Sequence, residues 1–181
     1  MDTSIGSLTP VPALSRPGLL AAPVARALAA LGEAAAAGIG VAEIDPALAD
    51  TAAFCARYGV SLAESANCVV IAGKREGETR YAACVILATT RTDVNNVARH
   101  ELDVRKASFA AMDVAVAESG MEYGGITPLG LPEGWPVLVD ALVADTPFVV
   151  IGSGVRRSKL VLAGKLLAGL PGVRVIEGLA R

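Results

Sequence analysis

The 181-residue sequence predicts an α/β fold, a single mixed-sheet domain with helices around it. Two observations carry this. Short apolar runs rich in Val and Ile mix with alanine-rich helical stretches, without the strict strand–helix–strand alternation of a fully parallel sheet. Two of the runs, Asn67 to Ala72 and Tyr81 to Ala88, follow one another across the polar, glycine-containing segment Gly73 to Arg80. That pattern is a hairpin with a longer loop, and its apolar strands suit the centre of a sheet covered on both faces.

The elements follow in order. Residues 1–17 hold three prolines and read as an N-terminal arm, ahead of a domain over residues 18–181. Gly18 to Gly38 is rich in Ala and Leu and reads as a helix; Val41 to Ile44 is a short strand stopped by Asp45-Pro46. Asp50 or Thr51 caps a second helix through Arg57 that closes near Gly59. After the hairpin, Thr92 or Asp93 opens a helix through about Glu101, Lys106 to Phe109 is a brief strand, and Asp113 to Glu118 is helical. Strands are expected at Pro136 to Val139, Phe148 to Gly152, Lys159 to Leu162 and Val173 to Ile176, with a helix near Gly164 to Leu170.

Composition narrows the function classes. Hydrophobic residues make up 53% of the chain but aromatics only 4%, so the core is built from Ala, Val, Leu and Ile. A net charge of −2 gives no bulk attraction to nucleic acid, so such a partner needs a local basic patch or the site itself. The N-terminus lacks a basic start followed by an apolar run, and no segment approaches the ~18 apolar residues of a membrane span. A cytoplasmic protein with no membrane partner is expected. One histidine and three cysteines without a C-x-x-C pattern give no zinc set, and neither metal nor cofactor is expected. A hairpin centred near residue 76 would set Cys68 opposite Cys84; the alternative is two small buried thiols in a reducing cytosol.

Met121 to Pro132 carries three glycines and two prolines in twelve residues. Such density makes a rigid loop whose exposed amides suit a carbonyl, a phosphate or a water. An ordinary tight connection is the alternative. No familiar hydrolase constellation competes. His100 stands alone on a polar helix, no serine sits in a G-x-S-x-G elbow, and Gly152-Ser153-Gly154 lacks the spacing of a phosphate loop.

Gly124-Gly125-Ile126-Thr127-Pro128 resembles the GxxxP loop of the YbaK/EbsC family, free-standing relatives of the prolyl-tRNA synthetase editing domain. Ser108-Phe109-Ala110 precedes it, and Leu131-Pro132, Pro136 to Asp140, Gly152-Ser153-Gly154 and Arg157-Ser158-Lys159-Leu160 follow in the family's order. The resemblance runs from about Ile44 to the C-terminus. It implies deacylation of a mischarged tRNA, with the acceptor end of aminoacyl-tRNA as partner and an aminoacyl-tRNA synthetase as a second candidate partner. It further implies catalytic positions at Asn67, Gly124 and Gly125. Substrate contacts are implied at Thr127, Pro128, Asp140, Gly152, Ser153, Gly154, Arg156 and Lys159.

One departure matters. Relatives carry a lysine, regarded as central to editing, where this strand begins Ser65-Ala66-Asn67-Cys68. Asn67 can still donate two hydrogen bonds to an oxyanion, though without charge, or it merely edges the strand. Lys74 lies an odd number of residues further on, at the hairpin tip and facing the other way; Lys106 and Lys159 are distant in sequence. The basic set Arg156, Arg157, Lys159 and Lys165 either meets acceptor-end phosphates or forms a solvated rim. Two readings follow: a trans-editing deacylase acting on a tRNA for proline or one bearing a small amino acid, and a binding module that kept the pocket without the chemistry.

Overall fold

A computed structural model describes residues 5–181; the first four residues of the N-terminal arm lie outside the described residues. The fold is mixed α/β, with its strands divided between two sheets. One sheet has the order β1-β2-β8-β7, from Val11–Pro12 (β1), Ile39–Glu43 (β2), Ser158–Leu162 (β8) and Val149–Gly152 (β7). The other runs β5-β3-β4-β6-β9, from Ala107–Phe109 (β5), Ala66–Arg75 (β3), Glu78–Leu87 (β4), Val137–Asp140 (β6) and Val173–Ile176 (β9). Its β4–β6 and β6–β9 pairs are parallel and the others antiparallel, which makes that sheet mixed. The sheets meet where β3 begins: Val150 N donates to Glu64 O at 2.7 Å, and Ser65 bridges Val150. That junction positions the site.

The hairpin β3–β4 is longer and tighter than expected. Glu76 and Gly77 both have positive φ, 53° and 86°, so two residues make the whole turn. The turn centre therefore falls between them, and the register moves by one: Cys68 faces Val85 and Val69 faces Cys84. Cys68 and Cys84 consequently lie on opposite faces of the sheet, and all three cysteines are free.

The long first helix divides. Gly32, at φ 82°, separates α1 (Ala22–Ala30) from α2 (Glu33–Ala36), behind a 3₁₀ turn over Pro17–Leu19. Helix α3 (Thr51–Tyr58) ends on Gly59 in the left-handed conformation, and α5 (Met112–Ser119) leads into the glycine–proline loop. Between them, Asp93 caps a turn of π-helix over Val94–Ala98 that runs into α4 (Arg99–Glu101). Helix α7 spans Gly164–Ala168. Helix α6 (Ala141–Asp145) is too short to show a period, and the sequence reading missed it.

The core is aliphatic. Val24 and Leu28 of α1 pack in one cluster with Ile39, Val85, Val139, Ile151 and Leu160, which joins the two sheets. Ile5 and Leu8 are buried beside Phe54, and β1 adds an edge to β2. No helix of the described residues is long and apolar enough to cross a membrane.

Candidate active site

The sheet junction opens into a cleft of about 410 Å³. Five chain segments meet there. The start of α3 brings Asp50 and Thr51, β3 brings Asn67 and Cys68, the glycine loop brings Gly124, β7 brings Gly152, and β8 brings Lys159. The Thr51 hydroxyl donates to Asn67 Oδ1 at 2.8 Å, which fixes the amide and leaves both Nδ2 protons without a protein partner among the described residues.

Lys159 faces Gly152 across β7–β8 and Ala42 across β2–β8. Its ammonium donates to Ala49 O at 2.9 Å and lies 5.2 Å from the centre of the Phe54 ring. Burial, with Arg156 nearby, lowers its pKa to about 8, against the opposing pull of Asp50 and Cys55. The cleft thus holds a cation that is still largely protonated at neutral pH. Burial, reinforced by Cys84, pushes the Cys68 thiol well above its ordinary range, so the cleft cysteine is no thiolate nucleophile.

The glycine loop is held from behind by a second glycine segment. Glu122 N donates to Gly154 O at 2.8 Å, and Gly154 N donates to Gly125 O at 2.7 Å. A Cβ on Gly125 would come within 2.8 Å of the Val155 carbonyl carbon, and one on Gly152 within 2.7 Å of Ile126 O. Gly125 N is engaged by Glu122 O within its own turn, whereas Gly124 N has no partner among the described residues. Arg156 braces the outside: its N–H donates to Glu122 Oε2 at 2.6 Å, and its guanidinium reaches Pro46 O, Tyr123 O and Asp50 Oδ1 at 3.1–3.3 Å.

A sequence model described as an aminoacyl-tRNA editing domain matches residues 45–170, most of the chain. The chain belongs to the aminoacyl-tRNA editing domain family. The editing domain also resembles solved structures at the level of fold. One is described as a candidate trans-editing enzyme for prolyl tRNA synthetase, with 20% identity, TM-score 0.72, and 87% of this chain and 94% of that one covered. Another is a hypothetical protein at 19% identity and TM-score 0.74, covering 86% of this chain and 99% of that one. A signal transduction protein proposed in Marinobacter aquaeolei VT8 matches at 16% identity and TM-score 0.52, over 85% of this chain and 30% of that longer one. Among curated proteins no sequence matches.

Of the residues singled out in sequence, Asn67, Gly124, Gly152 and Lys159 line the editing domain's cleft. The others lie outside it. Gly125 and Gly154 are backbone-packing positions, and Pro128 is buried behind the loop. Thr127 is fully buried, with its N–H on Met121 Sδ at 3.4 Å and its Oγ1 without a partner among the described residues. Ser153 is equally buried and bonds Ser158 Oγ at 2.7 Å; Ser158 in turn donates to Leu19 O. Asp140 caps α6 through Leu142 N and holds Ala180 N, each at 2.9 Å, so both its oxygens serve the scaffold. Arg156 is occupied by its bracing contacts, and Arg157 donates to Gly18 O. Thr51 was read only as a helix cap; nothing in a linear sequence signals that its hydroxyl reaches Asn67.

Proposed function

We propose that this chain is a trans-editing aminoacyl-tRNA deacylase that hydrolyses the ester of a mischarged tRNA, one specific for proline or one bearing a small amino acid. The observation that carries the reading is that Lys159 lines the same cleft as Asn67 and Gly124 in a chain of the editing family. The positive charge that relatives place at the Asn67 position is here supplied from β8.

The chemistry asks little of the side chains. Water attacks the acyl carbonyl carbon, the new carbon–oxygen bond forms, and charge develops on the carbonyl oxygen. The Lys159 ammonium, the Asn67 Nδ2 protons and the Gly124 N–H are the donors toward that oxyanion. Collapse breaks the bond to the ribose oxygen, which leaves with the proton that water gives up. Each donor of this kind contributes about 10²–10³ in rate. The setting is the cytoplasm, with the acceptor end of the tRNA as partner and a synthetase as a further candidate.

The deciding experiment gives alanyl-, cysteinyl-, seryl- and threonyl-tRNA to wild type, Asn67→Ala and Lys159→Ala. Release above buffer by wild type, lost in both variants, is expected. No release from any substrate removes the deacylase. The absence of a side-chain base among the cleft residues, where Asp50 is bound to Arg156, favours one second reading: a module that binds the aminoacyl-adenosine end without turnover. Tight binding of a non-hydrolysable aminoacyl-adenosine amide with no release from any tRNA would establish it.

A further inference from the structure

Asp45, Asp93 and Asp140 each stand just before a helical turn and accept from its backbone. Asp45 Oδ1 accepts from Ala47 N at 2.9 Å, Asp93 Oδ1 from Asn96 N at 3.0 Å, and Asp140 Oδ1 from Leu142 N at 2.9 Å. Asp50 holds the same position before α3 and makes no such bond. Its Oδ1 turns instead to Arg156 Nη1 at 3.1 Å, and lies 3.4 Å from where a Cβ on Gly124 would stand. Its Oδ2 has no hydrogen-bond partner among the described residues, and the side chain is 67% exposed. The carboxylate is directed to the cleft rather than to its own helix.

The residues on either side give that direction a meaning. Ala49 O accepts from Lys159 Nζ at 2.9 Å, and the Thr51 hydroxyl donates to Asn67 Oδ1 at 2.8 Å. Asp50 thus stands between the two residues that hold the side-chain donors of the proposed oxyanion site. Asp50 and Lys159 are also the charged residues that line the cleft, one of each sign. For a carbonyl oxygen alone the aspartate is a handicap, because its charge opposes the negative charge that develops there. An ester with a cation on its α-carbon reverses that balance. Lys159 attracts the carbonyl oxygen and repels the ammonium; Asp50 does the opposite. The two charges together orient such an ester in one direction.

We propose that Asp50 is the group that recognises the α-ammonium of the acyl moiety, through the free Oδ2. The site then takes esters with an unblocked α-amine and discriminates against neutral acyl groups, among them those whose amine is already acylated. The proposal rests on the ester-hydrolysis reading of the cleft and names the class of acyl group it accepts.

Two esters that differ in one group test it: alanyl-adenosine, and lactyl-adenosine with a hydroxyl in place of the amine. Buffer hydrolysis is subtracted from both. In Asp50→Asn the alanyl-to-lactyl ratio of kcat/KM falls about fivefold from its wild-type value, through KM on the alanyl ester. Turnover of the lactyl ester shows that the variant is folded. Arg156→Ala removes the same ion pair from its other side, and leaves the ratio within about twofold because the carboxylate remains. An unchanged ratio in Asp50→Asn overturns the proposal, as does an equal fall in Arg156→Ala. If wild type hydrolyses neither ester, the deacylase reading fails by itself, and titration with the non-hydrolysable amide counterparts of both esters judges Asp50. Preference for the amine-bearing amide, lost in Asp50→Asn, upholds the assignment; equal or absent binding overturns it.

Discussion

The two glycine-rich segments look alike in sequence and do different work. Met121 to Pro128 lines the cleft with Tyr123, Gly124 and Ile126; Gly152 to Arg157 leads the chain into β8, which contributes a half-buried cation, Lys159. The remaining glycines serve each other: Gly125 and Gly154 exchange backbone contact, and Gly152 lies where a side chain would meet the Gly125–Ile126 carbonyls. Glycine density here marks backbone packed on backbone at least as much as a ligand cradle. The proposed deacylase would draw on this packed unit where Gly124 and Lys159 face the cleft.

The largest expected effect tests the first segment. Gly124 has φ 76°, and a Cβ there would come within 2.5 Å of Arg156 Nη1. Gly124→Val should abolish measurable deacylation, a loss above about 10²-fold, because it displaces an amide that the proposed mechanism turns on the oxyanion. Circular dichroism should show helix and strand content retained. Activity surviving this change would move the site elsewhere.

Lys159 comes next and tests the second segment. Lys159→Met should cost about 10²–10³ in kcat on an aminoacyl ester. Because burial depresses the folded pKa to about 8 from an ordinary 10.5, the charged form costs stability below pH 8, and that cost disappears as pH rises toward 10.5. Two signs follow. Wild-type stability rises across this window and Lys159→Met flattens the rise. Enzyme-dependent hydrolysis, with buffer hydrolysis subtracted, falls as pH passes about 8 and the ammonium is lost. A rate rising through the same pH would make Lys159 a base rather than an oxyanion donor.

Gly152→Ala should act on stability. The added methyl meets backbone oxygens of the neighbouring loop, which cannot swing away as a side chain would. Overpacking of this kind costs about 1–3 kcal/mol, and at ~2–4 °C per kcal/mol a cost of ~3 kcal/mol lowers Tm by about 6–12 °C. A Tm unchanged within ~1 °C would mean the two loops are not rigidly stacked.

Against this picture, the sequence was most legible where local chemistry decides. The strands ending at Gly152, Leu162 and Ile176 and the helix stop at Gly59 follow from apolar runs and turn residues alone. The hairpin register did not, because it depends on whether Glu76 takes a positive φ, and a one-residue difference decides which face Cys68 occupies. Asp140 carried a legible signal that the family's motif order overrode: an aspartate before Ala-Leu-Val-Ala is a helix cap. Lys159 was singled out as an implied substrate contact, but its place beside Asn67 was not legible. Its place comes from β8 pairing with both β2 and β7, and no local pattern encodes that pairing.

Arg156 gives the smallest effect and the sharpest test of what the second segment does. Its contacts are partly exposed, 27% on the arginine and 67% on Asp50, so the ion pair alone contributes little. Arg156→Ala should therefore cost about 1 kcal/mol through the lost carbonyl and carboxylate bonds together, a Tm decrease of roughly 2–4 °C. Arg156→Lys separates bracing from phosphate binding. A lysine keeps the charge but cannot reach Pro46 O, Tyr123 O and Asp50 at once. If the arginine braces the loop, lysine should fail to restore Tm, and KM should shift equally for aminoacyl-adenosine and aminoacylated RNA. Should lysine instead restore KM on the RNA alone while Tm never moves, Arg156 contacts phosphate, and the second glycine segment would have a direct hold on the substrate.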